Sequence, residues 1–220
     1  MTSPAATPDR PGAQQWVPEH PSLETLQEAA QGCHGCELYA DATQTVMGRG
    51  APDARLVLLG EQPGDQEDKR GEPFVGPAGR VLVSALDDAG IDRGGVYRTN
   101  VVKHFRWQAR GKQRIHQSPA QAHVAACTPW LAAEMALLRP VGVVLLGGTA
   151  GKALYGTSFR VGESRGTMTA WPGERMPVPA PPQWVLPTLH PSAVLRADDR
   201  DAAYDGLVAD LRIAAQALAA

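Results

Sequence analysis

Four short runs of this chain are dominated by apolar residues without regular alternation. They are residues 54–61 (ARLVLLGE), 96–103 (VYRTNVVK), 141–148 (VGVVLLGG) and 183–192 (QWVLPTLHPS). A strand with one wet face alternates apolar and polar positions, whereas a strand covered on both faces does not. Each run therefore predicts a buried strand. Helical spacing fills the intervals. Residues 76–90 place Val81, Leu82, Ala85 and Leu86 on one face and end at Gly90, a helix-stopping cap. Residues 118–140 predict a long helix with Ser118 at its start, Pro119 at the first helical position and a kink at Pro129. A short helix is expected over 149–156 and a closing one over 202–219. Ser22 opens a further one through Leu23, Leu26 and Ala30, which stops at Gly32. Strands alternating with helices predict a three-layer α/β/α sandwich around a central, mostly parallel, four-stranded sheet. The expected organisation is one domain over 21–220 behind a disordered tail, 1–20, rich in Pro, Ala, Thr and Gly.

In such sheets a ligand sits outside the carboxyl ends of the strands. Those ends read GEQPGDQED, TNVVKHF, LGGTAGK and TLHPS. The third looks at first like a phosphate-binding P-loop. It is one residue too short from Gly147, and Ala153 stands where a Mg²⁺-binding hydroxyl belongs, so a tight strand-to-helix turn is the better reading.

Composition narrows the classes. No apolar run approaches the roughly 20 residues that span a bilayer. The N-terminus lacks the apolar core of a secretory signal, so no membrane association and a cytoplasmic location are expected. The net charge of −2 gives no support to nucleic-acid binding. Its distribution says more. No acidic residue lies between Asp92 and Glu134, an interval that holds Arg93, Arg98, Lys103, Arg106, Arg110, Lys112 and Arg114. That block is either a solvated basic face or the footprint of an anionic partner. Within it, GKQRIHQSP (111–119) sets His116 in a polar loop with Lys112 and Arg114. Three cysteines, Cys33, Cys36 and Cys127, argue against a disulfide framework. The Cys33–Cys36 spacing fits a redox pair, half a metal site or chance.

Each candidate has a plain structural reading beside a chemical one. In GEQPGDQED, Gly64 lets the backbone approach a ligand, and Glu61 or Asp65 can position water or steady a developing cation. The same residues can be a polar turn with capping acids. Phe74 is a core aromatic or a stacking platform for a flat ligand. Asn100, at a strand end, makes a turn or offers the paired donor and acceptor that match one edge of a pyrimidine. His190 is structural or donates to an oxygen gaining negative charge.

Together GEQPGDQED…GEPFVGPAG, TNVVKHF, CTPWL and LHPSAVLR resemble the uracil-DNA glycosylase superfamily, in particular its iron–sulfur members. The resemblance runs from about Cys33 to Arg196, with motifs in the family's order and spacing. Family 4 enzymes have an Ala where Gln62 stands and a Cys where His104 stands, and they lack the R-I-H loop. These departures resemble the UdgX branch, which excises uracil and then stays covalently bound to the abasic DNA through its loop histidine, here His116.

The resemblance implies a [4Fe–4S] cluster on Cys33, Cys36, Cys127 and His104, although the same set can also hold zinc as Cys₃His. It implies a uracil pocket built from Gln62, Gly64, Asp65, Phe74, Asn100 and His190. It further implies DNA contacts from Lys103, Lys112, Arg114, Ser192, Leu195 and Arg196, with Leu195 as a wedge in the flipped-base gap. In the implied chemistry His190 and the backbone of 62–65 stabilise departing uracil, and Glu61 either activates water or orients the nucleophile. Lys112 and Arg114 keep His116 uncharged so that it can attack the sugar. The expected partners are uracil-containing DNA, single- or double-stranded, and free uracil as product, with the protein a monomer located at the nucleoid when bound. Two other functions remain open at this stage: an ordinary turnover glycosylase, and an iron–sulfur DNA-binding or redox module without glycosylase activity. A zinc-stabilised binding protein is a third.

Overall fold

The computed structural model describes residues 10–220. Its centre is a five-stranded sheet in the order β1-β3-β2-β6-β7. The strands are β1 (Arg49–Gly50), β2 (Leu56–Gly60), β3 (Val96–Asn100), β6 (Gly142–Leu146) and β7 (Trp184–Thr188). The last four run parallel and coincide with the four apolar runs. The fifth, β1, is a two-residue antiparallel edge strand, too short for any periodicity to reveal it.

The uninterrupted apolar character has a direct cause. Val57, Leu59, Tyr97, Val143, Leu145 and Val185 pack on one side of the sheet; Leu56, Leu58, Val96, Val144, Leu146 and Leu186 pack on the other. The first side is covered by α1 (Leu23–Ala30), α4 (Gln121–Leu138) and α5 (Gly148–Tyr155). The second is covered by α3 (Pro77–Asp88), α7 (Pro191–Arg196) and α8 (Arg200–Ala219). Two short helices, α2 (Asp65–Arg70) and α6 (Val161–Ser164), flank the carboxyl ends of the strands. The result is the expected α/β/α sandwich with one added strand.

Several boundaries move for local reasons. β3 stops at Asn100, because the next two amides turn to donate to Gly60 O and Glu61 O, both at 3.0 Å. β7 stops at Thr188, and Pro191 starts α7. Helix α4 starts at Gln121, two residues after Pro119, and continues through Pro129. Gly90, at φ +75°, closes α3 as its position predicts.

The segment read as a polar loop, 111–119, is half of a hairpin. Strands β4 (Trp107–Arg110) and β5 (Gln113–His116) pair antiparallel, with Trp107 opposite His116, across a turn at Gly111. The expected tail also needs correction. Residues 1–9 lie outside the described residues, but from Arg10 onward the chain is docked. Gly12 N–H donates to Gly35 O at 3.0 Å, Ala13 N–H to Ala126 O at 2.8 Å, and Arg10 pairs with Glu37. Among the described residues no helix is long and apolar enough to cross a membrane.

Candidate active site

A cavity of about 780 Å³ opens at the carboxyl ends of β2, β3, β6 and β7. Its wall includes Glu61, Gln62, Gly64, Asp65, Phe74, Asn100, His116, His190, Ser192, Leu195 and Arg196, so segments 135 residues apart in sequence meet there. A second cavity, of about 600 Å³, lies at the amino ends of β2 and β3 beside the last turn of α8, and it gathers none of these side chains.

The floor depends on two glycines. Gly60 pairs with Asn100 across β2 and β3. A β-carbon on Gly60 would overlap Asn100 Oδ1 and come within 2.8 Å of Phe74 Cζ. Only glycine lets the ring and the amide meet over the strand end. Gly147, at φ +92°, likewise makes room for His190 Cβ, which a β-carbon there would approach to 2.9 Å. The Phe74 and His190 rings lie 6.4 Å apart at 29°. Phe74 itself adopts φ +59°, unusual for an aromatic residue. Its loop is fixed by Glu67 Oε1, which accepts from Gly76 N–H at 2.7 Å. Glu67 lines the cavity as well. It belongs to the acidic cluster that the sequence flags, but nothing in the sequence separates it from its neighbours.

His190 caps α7. Its Nδ1 accepts from Ser192 N–H at 3.1 Å and lies 2.8 Å from Ser192 Oγ. Burial, aided by the charge of Arg196 and by His116, lowers its pKa to about 4. A neutral ring whose Nδ1 accepts carries its proton on Nε2, so His190 is a neutral donor at physiological pH. Ser192 Oγ, expected among the DNA contacts, is engaged with this ring.

Glu61 follows β2 directly. Its Oε1 is buried without a hydrogen-bond partner and lies 3.4 Å from His116 Nε2, within ion-pair range but not aligned as a hydrogen bond. The His116 side chain is 48% exposed, so it faces both the carboxylate and the cavity mouth.

The hairpin that carries His116 is tied down on its inner face. Gln62 Nε2 donates to Arg106 O and Gln117 O, both at 3.1 Å, and its Oε1 accepts from Arg106 N–H at 3.2 Å. The Gln62 amide, expected in the uracil pocket, therefore closes the base of the hairpin from the cavity wall. Arg114 binds Asp65 Oδ1 at 2.7 Å and Asp68 Oδ2 at 2.6 Å, and lies 5.4 Å from the Phe105 ring centroid and 5.5 Å from that of Trp107. Trp107 Nε1–H donates to Asp41 O at 2.8 Å.

Two charge assignments change with this geometry. Arg114 is neutralised by two carboxylates and is not a free phosphate ligand. Asp65 is held below its usual pKa: burial alone would raise it, but hydrogen bonds from Lys69 and Arg114 outweigh that. Asp65 therefore anchors the hairpin. Lys103 is the larger correction, because its side chain is fully buried and cannot touch DNA. Lys112, at the hairpin turn, and Arg196, at the cavity rim, are exposed.

Cys33, Cys36, Cys127 and His104 are all buried. Trp130 Nε1–H donates to Cys33 Sγ at 3.3 Å, and Lys103 N–H donates to Cys127 Sγ at 3.2 Å. Burial pushes the Cys127 thiol up to about 12, and the other two thiols add to the rise. Burial brings His104 down to about 4. Among the described residues no cluster of His, Cys, Asp or Glu is compact enough to enclose a single metal ion. Three thiols and a neutral imidazole in one dry region, with N–H groups aimed at two sulfurs, suit a thiolate-bound iron–sulfur group.

Comparison with known proteins gives the family. A model of the uracil DNA glycosylase superfamily matches residues 47–212, which include every cavity residue named above. The type-4 uracil-DNA glycosylase of Thermotoga maritima is 35% identical over 175 residues, spanning 79% of this chain and 83% of that protein. The type-4 enzyme of Pyrobaculum aerophilum is 34% identical over 176 residues, spanning 79% and 85%. That of Sulfurisphaera tokodaii is 32% identical over 179 residues, spanning 79% and 76%. By family match and by identity over most of its length, this chain belongs to the uracil DNA glycosylase superfamily.

Proposed function

We propose that this protein excises uracil from DNA and then bonds to the resulting sugar through His116, as in the UdgX branch. The observation that carries the proposal is the pairing of His116 Nε2 with a buried, otherwise unpartnered Glu61 oxygen at the mouth of a cavity that also holds Phe74, Asn100 and His190.

Uracil must leave the stack to reach the cavity, at a cost of a few kcal/mol. Phe74 offers its ring to the flat base. Asn100 matches a pyrimidine edge with one donor and one acceptor. Neutral His190 donates Nε2–H to the uracil oxygen that gains charge as the C1′–N1 bond breaks. The bonding pair leaves with uracil, and the sugar becomes oxocarbenium-like beside the Glu61 carboxylate. The Nδ1 lone pair of the His116 ring forms the N–C1′ bond, and the positively charged ring that results gives its Nε2 proton to Glu61. The proton passes on to uracil, which departs neutral.

A [4Fe–4S] cluster on Cys33, Cys36, Cys127 and His104 belongs to the same proposal. Those residues would hold it between the 33–36 segment and α4, where its role would be to brace the chain.

The test mixes the protein with a labelled uracil oligonucleotide, denatures in SDS and resolves the products on a gel beside a thymine control. A uracil-dependent shifted band that vanishes in His116→Ala supports covalent capture. Free uracil and alkali-labile DNA without a band would leave an ordinary turnover enzyme. No uracil release at all would leave a DNA-binding iron–sulfur module.

A further inference from the structure

We infer that buried Lys103 is a positioning residue for Asn100, and so sets how tightly the site holds the base edge. The inference rests on the reading of Asn100 as the group that meets uracil. Burying an ammonium costs several kcal/mol unless every proton finds an acceptor. Here all three do. Lys103 Nζ donates to Glu134 Oε2 at 2.6 Å, to Thr99 Oγ1 at 2.7 Å and to Asn100 O at 2.8 Å. Both Lys103 and Glu134 are fully buried.

The Asn100 carbonyl marks the point where β3 leaves the sheet. The amides of 101 and 102 have already turned towards Gly60 O and Glu61 O. Lys103 therefore fixes the peptide that sets the direction of the Asn100 side chain. Glu134 holds the lysine in turn, accepting also from Gly48 N–H at 2.8 Å, Tyr97 OH at 3.1 Å and Thr99 Oγ1 at 2.9 Å. A network with every member satisfied is rigid. The same lysine donates its backbone N–H to Cys127 Sγ at 3.2 Å, which ties the base-reading amide to the thiol segment. Lys103 and Glu134 do not face solvent, and neither lines the cavity.

A double-mutant cycle separates positioning from stability. Single-turnover uracil release is measured for the wild type, Asn100→Ala, Lys103→Met and the double variant. Melting temperature and visible absorbance serve as folding controls. Misplacement of a binding group by about 1 Å is worth on the order of 100-fold in rate. Lys103→Met is expected to slow release by about 10- to 100-fold in the wild-type background and by less than about threefold in the Asn100→Ala background. Equal slowing in both backgrounds would overturn the inference.

Should Lys103→Met fail to fold, Lys103→Met/Glu134→Leu removes both charges and leaves none stranded. That folded pair is expected to show the same loss. Wild-type release from it overturns the inference. Wild-type release from Asn100→Ala alone would instead remove the base-reading role on which the inference stands.

Discussion

Arg114→Ala tests whether the hairpin is held shut by its own ion pairs. Arg114 spans two carboxylates of unequal burial: the Asp65 side chain is 32% exposed and that of Asp68 is 0%. The Asp65 pair is close to the surface and contributes about 0.5 kcal/mol. Removing the partner of buried Asp68 costs about 3–5 kcal/mol, because the carboxylate cannot return to water. Thr43 still donates to Asp68 through N–H and Oγ1, which offsets part of that. A net loss of about 3 kcal/mol lowers the closed-to-open ratio of the hairpin by about 100-fold, at about 1.4 kcal/mol per factor of ten. His116 then spends less time beside Glu61, whereas the Phe74, Asn100 and His190 positions do not depend on the hairpin. Uracil release should stay within about threefold of wild type while the rate of covalent capture falls at least tenfold, read as the two bands of one quenched time course. Capture at the wild-type rate by a folded Arg114→Ala protein would refute the reasoning. Arg114→Lys should behave like the alanine variant, since a point charge cannot bridge both carboxylates.

Other expectations follow from the same contacts. Glu61→Gln keeps the shape but not the proton acceptor, and capture should fall by about 100-fold or more in single-turnover assays. Gln62→Ala removes three hydrogen bonds from the hairpin base, each worth about 1 kcal/mol, so the ratio of adduct to released uracil should drop on the gel. His190 titrates near 4 in the fold against an ordinary value of 6.5. The unfolded chain therefore binds its proton first as pH falls, and folded stability declines from about pH 6.5 towards pH 4. His190→Asn should flatten part of that decline in melting temperature, and an unchanged slope would argue against the buried neutral ring.

The four parallel strands are legible because each is apolar on both faces, and Asn100 and His190 are legible because they stand at strand ends. The hairpin is not. Its inner face is closed by Gln62, Arg114 and Trp107 rather than by aliphatic residues, so it carries no apolar stripe. The available signal is short alternation on either side of Gly111, where φ is +61°. Lys103 misleads for a related reason. Charge counting treats a lysine as solvated, and its partner Glu134 lies 31 positions along the chain. Asp65 and Glu67 share one acidic run, yet one anchors the hairpin and the other the Phe74 loop. Spacing alone cannot distribute them, because α2 is a six-residue helix whose sides face different neighbours.

The backbone of Phe74 sits where L-residues are disfavoured, and Gly79 presses its bare Cα against the Phe74 carbonyl. A β-carbon at position 79 would overlap both Phe74 C and O, which are backbone atoms and cannot swing aside. In a saturation library scored for uracil release, column 79 should therefore be blank even for alanine. Column 95, where a β-carbon meets nothing within 4 Å, should tolerate small residues. A site that reads as a ring on a loop would thus appear in mutational data as intolerance five residues away, at a position that never touches the base.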